Sequence, residues 1–182
     1  MTTTRGNITL TNEERFVVLN LVSIALPSPW WWHTEDLNDA GAGGAIFRCY
    51  EEGNENEIAY LLVADVSQAP DEPNISVYED AGVPELDHFL ETEIRSLMAS
   101  DGREMIRWMS SHLSRRSLGK ALVTAYIARD QGRDRQYIDV RLRVRDHNIV
   151  IGGCFDVNRA EELAQPIFFA LNDALPWGKD QS

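Results

Sequence analysis

An α+β fold is what the sequence predicts: an antiparallel meander of about six strands covered by two main helices. Three observations carry this. Between Lys120 and Asp156, three β-type runs are separated by polar turns, whereas a parallel crossover would need a dozen or more residues. In the middle run Ile138, Val140, Leu142 and Val144 alternate with Asp139, Arg141, Arg143 and Arg145, which describes a strand with one dry face and one charged face. Residues 158–175 then repeat Leu163, Ile167, Phe168, Leu171 and Leu175 at helical spacing, a lid for the dry face.

In order along the chain, residues 1–12 are polar, and residues 1–6 are expected to be flexible. Residues 16–26 (FVVLNLVSIAL) read as a β-rich run stopped by Pro27 and Pro29, since proline cannot donate to a ladder. Trp30, Trp31 and Trp32 follow, then the acidic HTEDLND segment and AGAGG, read as solvated loop and flexible connection. Residues 46–50 and 58–66 read as a hairpin with Gly53 and Asn54 at its tip. Residues 67–83 are an acidic loop insertion, with a short strand expected at 75–78. Pro84 suits the first turn of a helix whose stripe is Leu86, Phe89, Leu90, Ile94, Leu97 and Met98, and Asp101-Gly102 ends it. Residues 105–113 are a further strand. The meander has turns at Gly132 and at Asp146–Asn148, and the last helix is expected to start from a capping box of Asn158 and Glu161.

With 182 residues, 43% of them hydrophobic, a single domain over 1–182 is expected. No apolar run is long enough to span a bilayer, and the start lacks the apolar core of a signal peptide, so a cytoplasmic location is expected. Cys49 and Cys154 have no framework spacing and read as buried thiols. The net charge of -12 is uneven: residues 1–100 hold 4 Lys/Arg against 18 Asp/Glu, and residues 101–182 hold 13 against 11. An acidic first half argues against nucleic-acid binding and favours a cationic partner or simple solubility.

With LPSPW at 26–30 closing the first run, YIDVRLRVRDHNIVIGGCFD at 137–156, and the helix from Asn158 to Leu175 after it, the order resembles the PsbP-like fold. That group includes the photosystem subunit that names it, a nuclear Ran-binding factor and bacterial proteins associated with type VI secretion. The resemblance implies an α/β sandwich that binds other proteins. Two bacterial roles fit it, an immunity protein blocking a toxin or a chaperone loading membrane-inserting effectors; those chaperones tend to be shorter than this chain, which has a long acidic insertion at 67–83.

No chemical motif is legible. His33, Glu35, Asp36 and Asp39 are ligand types close together but match no metal loop. AGAGG lacks the Lys-Ser/Thr of a phosphate cradle, and no His pairs with another at i+3 or i+4. Neither a cofactor nor a metal is expected. Candidate partner-binding residues are Trp30, Trp31 and Trp32, because three consecutive Trp in an extended segment leave one or two near the surface, with the adjacent Glu35, Asp36 and Asp39. The row Arg141, Arg143 and Arg145 is a second candidate. The expected function is a non-enzymatic, monomeric immunity protein that meets a basic toxin. An effector-loading chaperone is the alternative, and a small-ligand or enzymatic domain the reading from another class.

Overall fold

A computed structural model describes residues 3–5, 8–11, 14–39, 42–51, 53, 55–68, 83–116 and 119–177. Short strands come first: β1 (Thr3–Arg5), β2 (Ile8–Leu10), β3 (Arg15–Val18) and β4 (Val22–Ala25). Then follow β5 (Trp32–Asp39), β6 (Ala42–Tyr50), β7 (Glu57–Asp65), helix α1 (Val83–Ser100), β8 (Glu104–Arg116), β9 (Gly119–Asp130), β10 (Arg133–Val144) and β11 (His147–Asp156). A single 3-10 turn leads into α2 (Ala160–Asn172), and β12 (Leu175–Pro176) is the last strand among the described residues. The larger sheet is antiparallel throughout, in the order β5-β6-β7-β11-β10-β9-β8. The smaller one runs β1-β2-β3-β4-β12.

The meander forms as its alternation requires. Val140 stands opposite Ile151 and Leu142 opposite Ile149, and all four face Leu163, Ile167 and Leu171 of α2 in the main core. Gln131 and Gly132, both at positive φ, make the two-residue primed turn between β9 and β10. Gly153 lets α2 approach β11, because a Cβ there would stand 2.6 Å from the Ile167 Cγ2. The helix start differs from the expected capping box: Asp156 caps the 3-10 turn by accepting from the Asn158 N–H at 2.8 Å, and α2 opens at Ala160 without a side-chain cap. The buried stripe is Leu163, Ile167, Ala170 and Leu171, while Phe168 and Phe169 point outward.

Four further expectations are corrected. Residues 16–26 are not one strand but the β3–β4 hairpin, turned at Leu19 and Asn20 with φ of 56 and 54. Leucine carries no turn signal; here its side chain packs on the core, which offsets the cost of a left-handed backbone. The HTEDLND segment is strand β5, not a loop, because its backbone pairs with the strongly buried β6. The AGAGG stretch likewise enters β6 at Ala42, and Gly44 sits so close to Val63 that a Cβ would meet its carbonyl oxygen. Finally, of the charged alternates Asp139, Arg141 and Arg143 in β10, only Arg143, near its end, is exposed. Helix α1 covers the others, placing Leu90, Ile94 and Met98 over Leu122, Tyr126, Tyr137 and Met105. The expected strand at 75–78 and most of the acidic insertion lie outside the described residues, as do residues 1–2 and 6–7.

One carboxylate seats α1. Asp87 Oδ1 accepts from the Trp108 indole N–H (2.8 Å), the Ser111 N–H (2.9 Å) and the Ser111 hydroxyl (2.7 Å) of β8. Burial opposes its charge, but these bonds outweigh burial and hold its pKa below the ordinary carboxylate value. A depressed folded pKa contributes stability that is complete above the unfolded value of about 4 and lost as pH falls through the lower folded value. Asp87→Ala is therefore expected to cost about 2 kcal/mol in urea unfolding at pH 7, with the gap to the native chain narrowing below about pH 4. Gly153→Ala is expected to cost about 1–3 kcal/mol by forcing α2 off β11. Unchanged urea midpoints would contradict either statement.

Candidate binding surface

The α1-side face of the large sheet carries one continuous row. Trp108, Tyr126, Tyr137, Cys154, Tyr60, Arg48 and His33 are successive cross-strand neighbours from β8 to β5. Trp108 stacks on Tyr126 at 6.1 Å and Tyr126 on Tyr137 at 5.2 Å, while Tyr60 meets Tyr137 edge-on at 6.5 Å. Small Cys154 fits between the two tyrosines, and burial pushes its thiol up to about 12; burial likewise lifts Cys49 to about 11. Both thiols are therefore protonated at neutral pH and poor nucleophiles. Exposure rises along the row, from buried Tyr126 and Tyr137 through half-buried Tyr60 and Arg48 to exposed His33. The sheet thus emerges from beneath α1 toward β5.

The structure divides the predicted residues sharply. Trp31 is 89% exposed, whereas Trp30 and Trp32 are half-buried staples against the core, with the Trp32 indole donating to the Pro27 carbonyl at 2.8 Å. Glu35 and Asp36 are exposed on β5; Glu35 accepts from Arg48 Nε at 3.4 Å and lies 3.7 Å from His33 Nε2. Asp39 ends the strand opposite Ala42. The arginine row does not hold together as a surface. Arg141 is 6% exposed, 3.6 Å from Asp139 and donating to Thr124 at 3.2 Å, because α1 closes over that face. Arg143 stays exposed near Asp146, and Arg145 belongs to the turn, where it donates to the Trp177 carbonyl.

Two hollows adjoin these residues. A cleft of about 570 Å³ lies between β5 and the small sheet, with His33, Thr34, Glu35 and Asp36 on one wall and Ile8, Leu10 and Phe16 on the other. That volume is in the range of ligand and peptide sites, about 300–1,000 Å³. No cation is among its described lining residues. A smaller hollow of about 190 Å³ lies beneath α1, where Tyr60, Tyr137, Asp139, Arg103 and Arg141 converge. Its polar groups already serve one another: the Tyr126 hydroxyl donates to Asp139 at 3.0 Å and the Arg103 guanidinium sits 5.7 Å over the Tyr137 ring. Among the described residues no group of three or more His, Cys, Asp or Glu side chains is placed to hold a metal ion, and no helix is long and apolar enough to cross a membrane.

Ile8, Leu10 and Phe16 are site residues that the sequence does not mark, since residues 1–12 look polar and Phe16 lies inside a run that reads as one strand. The signal available was the ITL triplet at 8–10. No model of a known protein family and no curated protein matches the chain.

The contrast within the Trp run is testable without a partner. Trp31→Ala is expected to change stability by less than about 0.5 kcal/mol, as for an exposed position. Trp32→Ala removes core packing and an indole hydrogen bond and is expected to cost about 3 kcal/mol. Thermal and urea unfolding of the two variants check this.

Proposed function

We propose that the chain is a non-enzymatic protein-binding protein, an immunity protein that neutralises a cognate bacterial toxin by direct contact at the β5 corner. The observation that carries this reading is the pairing of an exposed tryptophan, Trp31, with the adjoining cleft whose apolar wall faces Glu35 and Asp36. Tryptophan is the residue type most enriched among interface anchors, and a carboxylate rim speeds encounter with a cationic partner. The net charge of -12 adds long-range attraction of the same sign. A PsbP-like sandwich, a cytoplasmic location and a monomeric free state belong to the same proposal. The hollow beneath α1 gives the small-ligand reading second place: it is smaller than ordinary ligand sites, and its charged groups already pair, Arg141 with Asp139 and Arg103 with Asp101.

Inspection of the neighbouring genes for one that encodes a toxin domain, followed by co-expression with its product, tests the reading. Rescue of growth together with a stoichiometric complex is expected. A complex without rescue would select the effector-loading chaperone, and neither complex nor rescue would reject a role at this surface. Within a complex, Glu35→Gln with Asp36→Asn is expected to slow association and flatten its salt dependence. Trp31→Ala is expected to raise dissociation by about 2 kcal/mol, roughly 30-fold. Surface plasmon resonance at two salt concentrations reads both.

A further inference from the structure

Consecutive residues of a strand point to opposite faces, yet His33, Thr34, Glu35 and Asp36 all line one cleft. A hollow that meets both parities runs along the edge of the strand, not over a face. β5 is an end strand of the seven-stranded sheet, paired to β6 in unbroken register from Trp32–Cys49 to Asp39–Ala42. An end strand bonds its neighbour through alternate residues, and the intervening backbone groups face outward, here toward the cleft.

The two ends of this sheet are not equivalent. At the other end β8 slips register twice against β9, and Asp87 takes up the Ser111 N–H. Bulges and occupied amides are the usual protection of an edge against added strands. The described part of β5 has neither bulge nor proline. Its own charges decide what can join it. A second copy of β5 would bring Glu35 and Asp36 near their equivalents, and facing like charges disfavour pairing. A strand carrying cations meets them favourably. At about 3.3 Å per residue, the four lining residues span roughly 13 Å, enough for about four residues of an added strand.

We propose that β5 is a docking edge on which an extended segment of a basic protein partner adds as an eighth strand, its alternate apolar side chains against Ile8, Leu10 and Phe16 and its cations, on the opposite face, against Glu35. This rests on the partner-binding reading above and supplies its mode. Main-chain hydrogen bonds hold the segment, and the two walls select an alternation of basic and apolar residues.

The test uses the full chain and an end-blocked eight-residue peptide alternating Arg and Val. A control of the same sequence carries two consecutive N-methyl amides at its centre, which keeps the charge but blocks both strand edges. The first peptide is expected to bind at least tenfold more tightly by calorimetry and to slow hydrogen exchange at alternate β5 amides. Glu35→Pro and Asp36→Pro, made singly, add a second arm: the one whose amide faces outward keeps the native melting temperature and loses peptide binding at least tenfold. Equal binding of both peptides, protection confined to other strands, or no binding at all would overturn the proposal. So would a dimer in light scattering that protects the same β5 amides, which assigns the edge to a second copy. A toxin complex that forms with Trp31-dependent dissociation but leaves β5 amides unprotected would overturn this mode while leaving the function standing.

Discussion

Burial of both faces of β10 is the constraint on which the rest of the structure depends. Its apolar alternates, Ile138, Val140, Leu142 and Val144, lie in the core beneath α2 and the small sheet. Of its polar alternates, Tyr137, Asp139 and Arg141 lie under α1 and interact there, while Arg143 stays exposed. Tyr137 stacks on Tyr126, Asp139 receives the Tyr126 hydroxyl, and Arg141 lies against Asp139 and Thr124. Gly152 on β11 keeps the space for this carboxylate, since a Cβ there would come within 3.1 Å of Asp139 Oδ1. A buried pair of this kind adds little net stability, but removing one partner strands the other at a cost of about 3–5 kcal/mol. Arg141 is therefore an architectural residue, whereas Arg143 and Arg145 remain at the surface.

Coverage by α1 also makes the two ends of the large sheet chemically different. α1 lies against β8 and is anchored there by Asp87, so Tyr126 and Tyr137 in the middle of the aromatic row are buried, with Trp108 half-buried beside them. Toward β5 the same row becomes half-buried and then exposed, and the sheet finishes at a regular edge facing a cleft. The small sheet supplies the other wall of that cleft. It is tied to the C-terminal end of α2 by Arg15, which reaches the Asp173 carboxylate at 2.6 Å and its carbonyl at 2.7 Å while also holding Ser23. A cation at that position also complements the negative end of the helix. The cleft is thus a consequence of how α2 positions the small sheet beside β5.

The long meander was legible because its period of two is strong and its turns carry glycine and asparagine or aspartate. Leu90, Ile94 and Met98 of the α1 stripe and the Gly102 that stops the helix at a φ of 72 were legible for the same local reasons, whereas Phe89, expected in that stripe, is exposed. The β3–β4 hairpin was not, because Leu19 turns the chain with a residue type that signals continuation. β5 was not, because WHTEDLND has no dry alternation; it is a strand only by virtue of β6. Of the candidate site, the acidic residues and one exposed tryptophan were legible from composition and from the opposite-sides rule for extended chains. Which tryptophan, and what stood across from the acids, was not.

By itself the sequence determined the local geometry: which segments are strands or helices where periodicity is strong, where tight turns fall, and how charge divides between the two halves. These depend on neighbours a few residues apart. Only the tertiary structure decided which faces of those elements are dry. Arg141 reads as a solvent residue on any local pattern, yet α1, some fifty residues earlier in the chain, closes over it. Ile8, Leu10 and Phe16 become one wall of a cleft only when the small sheet is carried beside β5 by α2, more than a hundred residues later. Burial is a property of the assembled layers, and no local window of residues contains it.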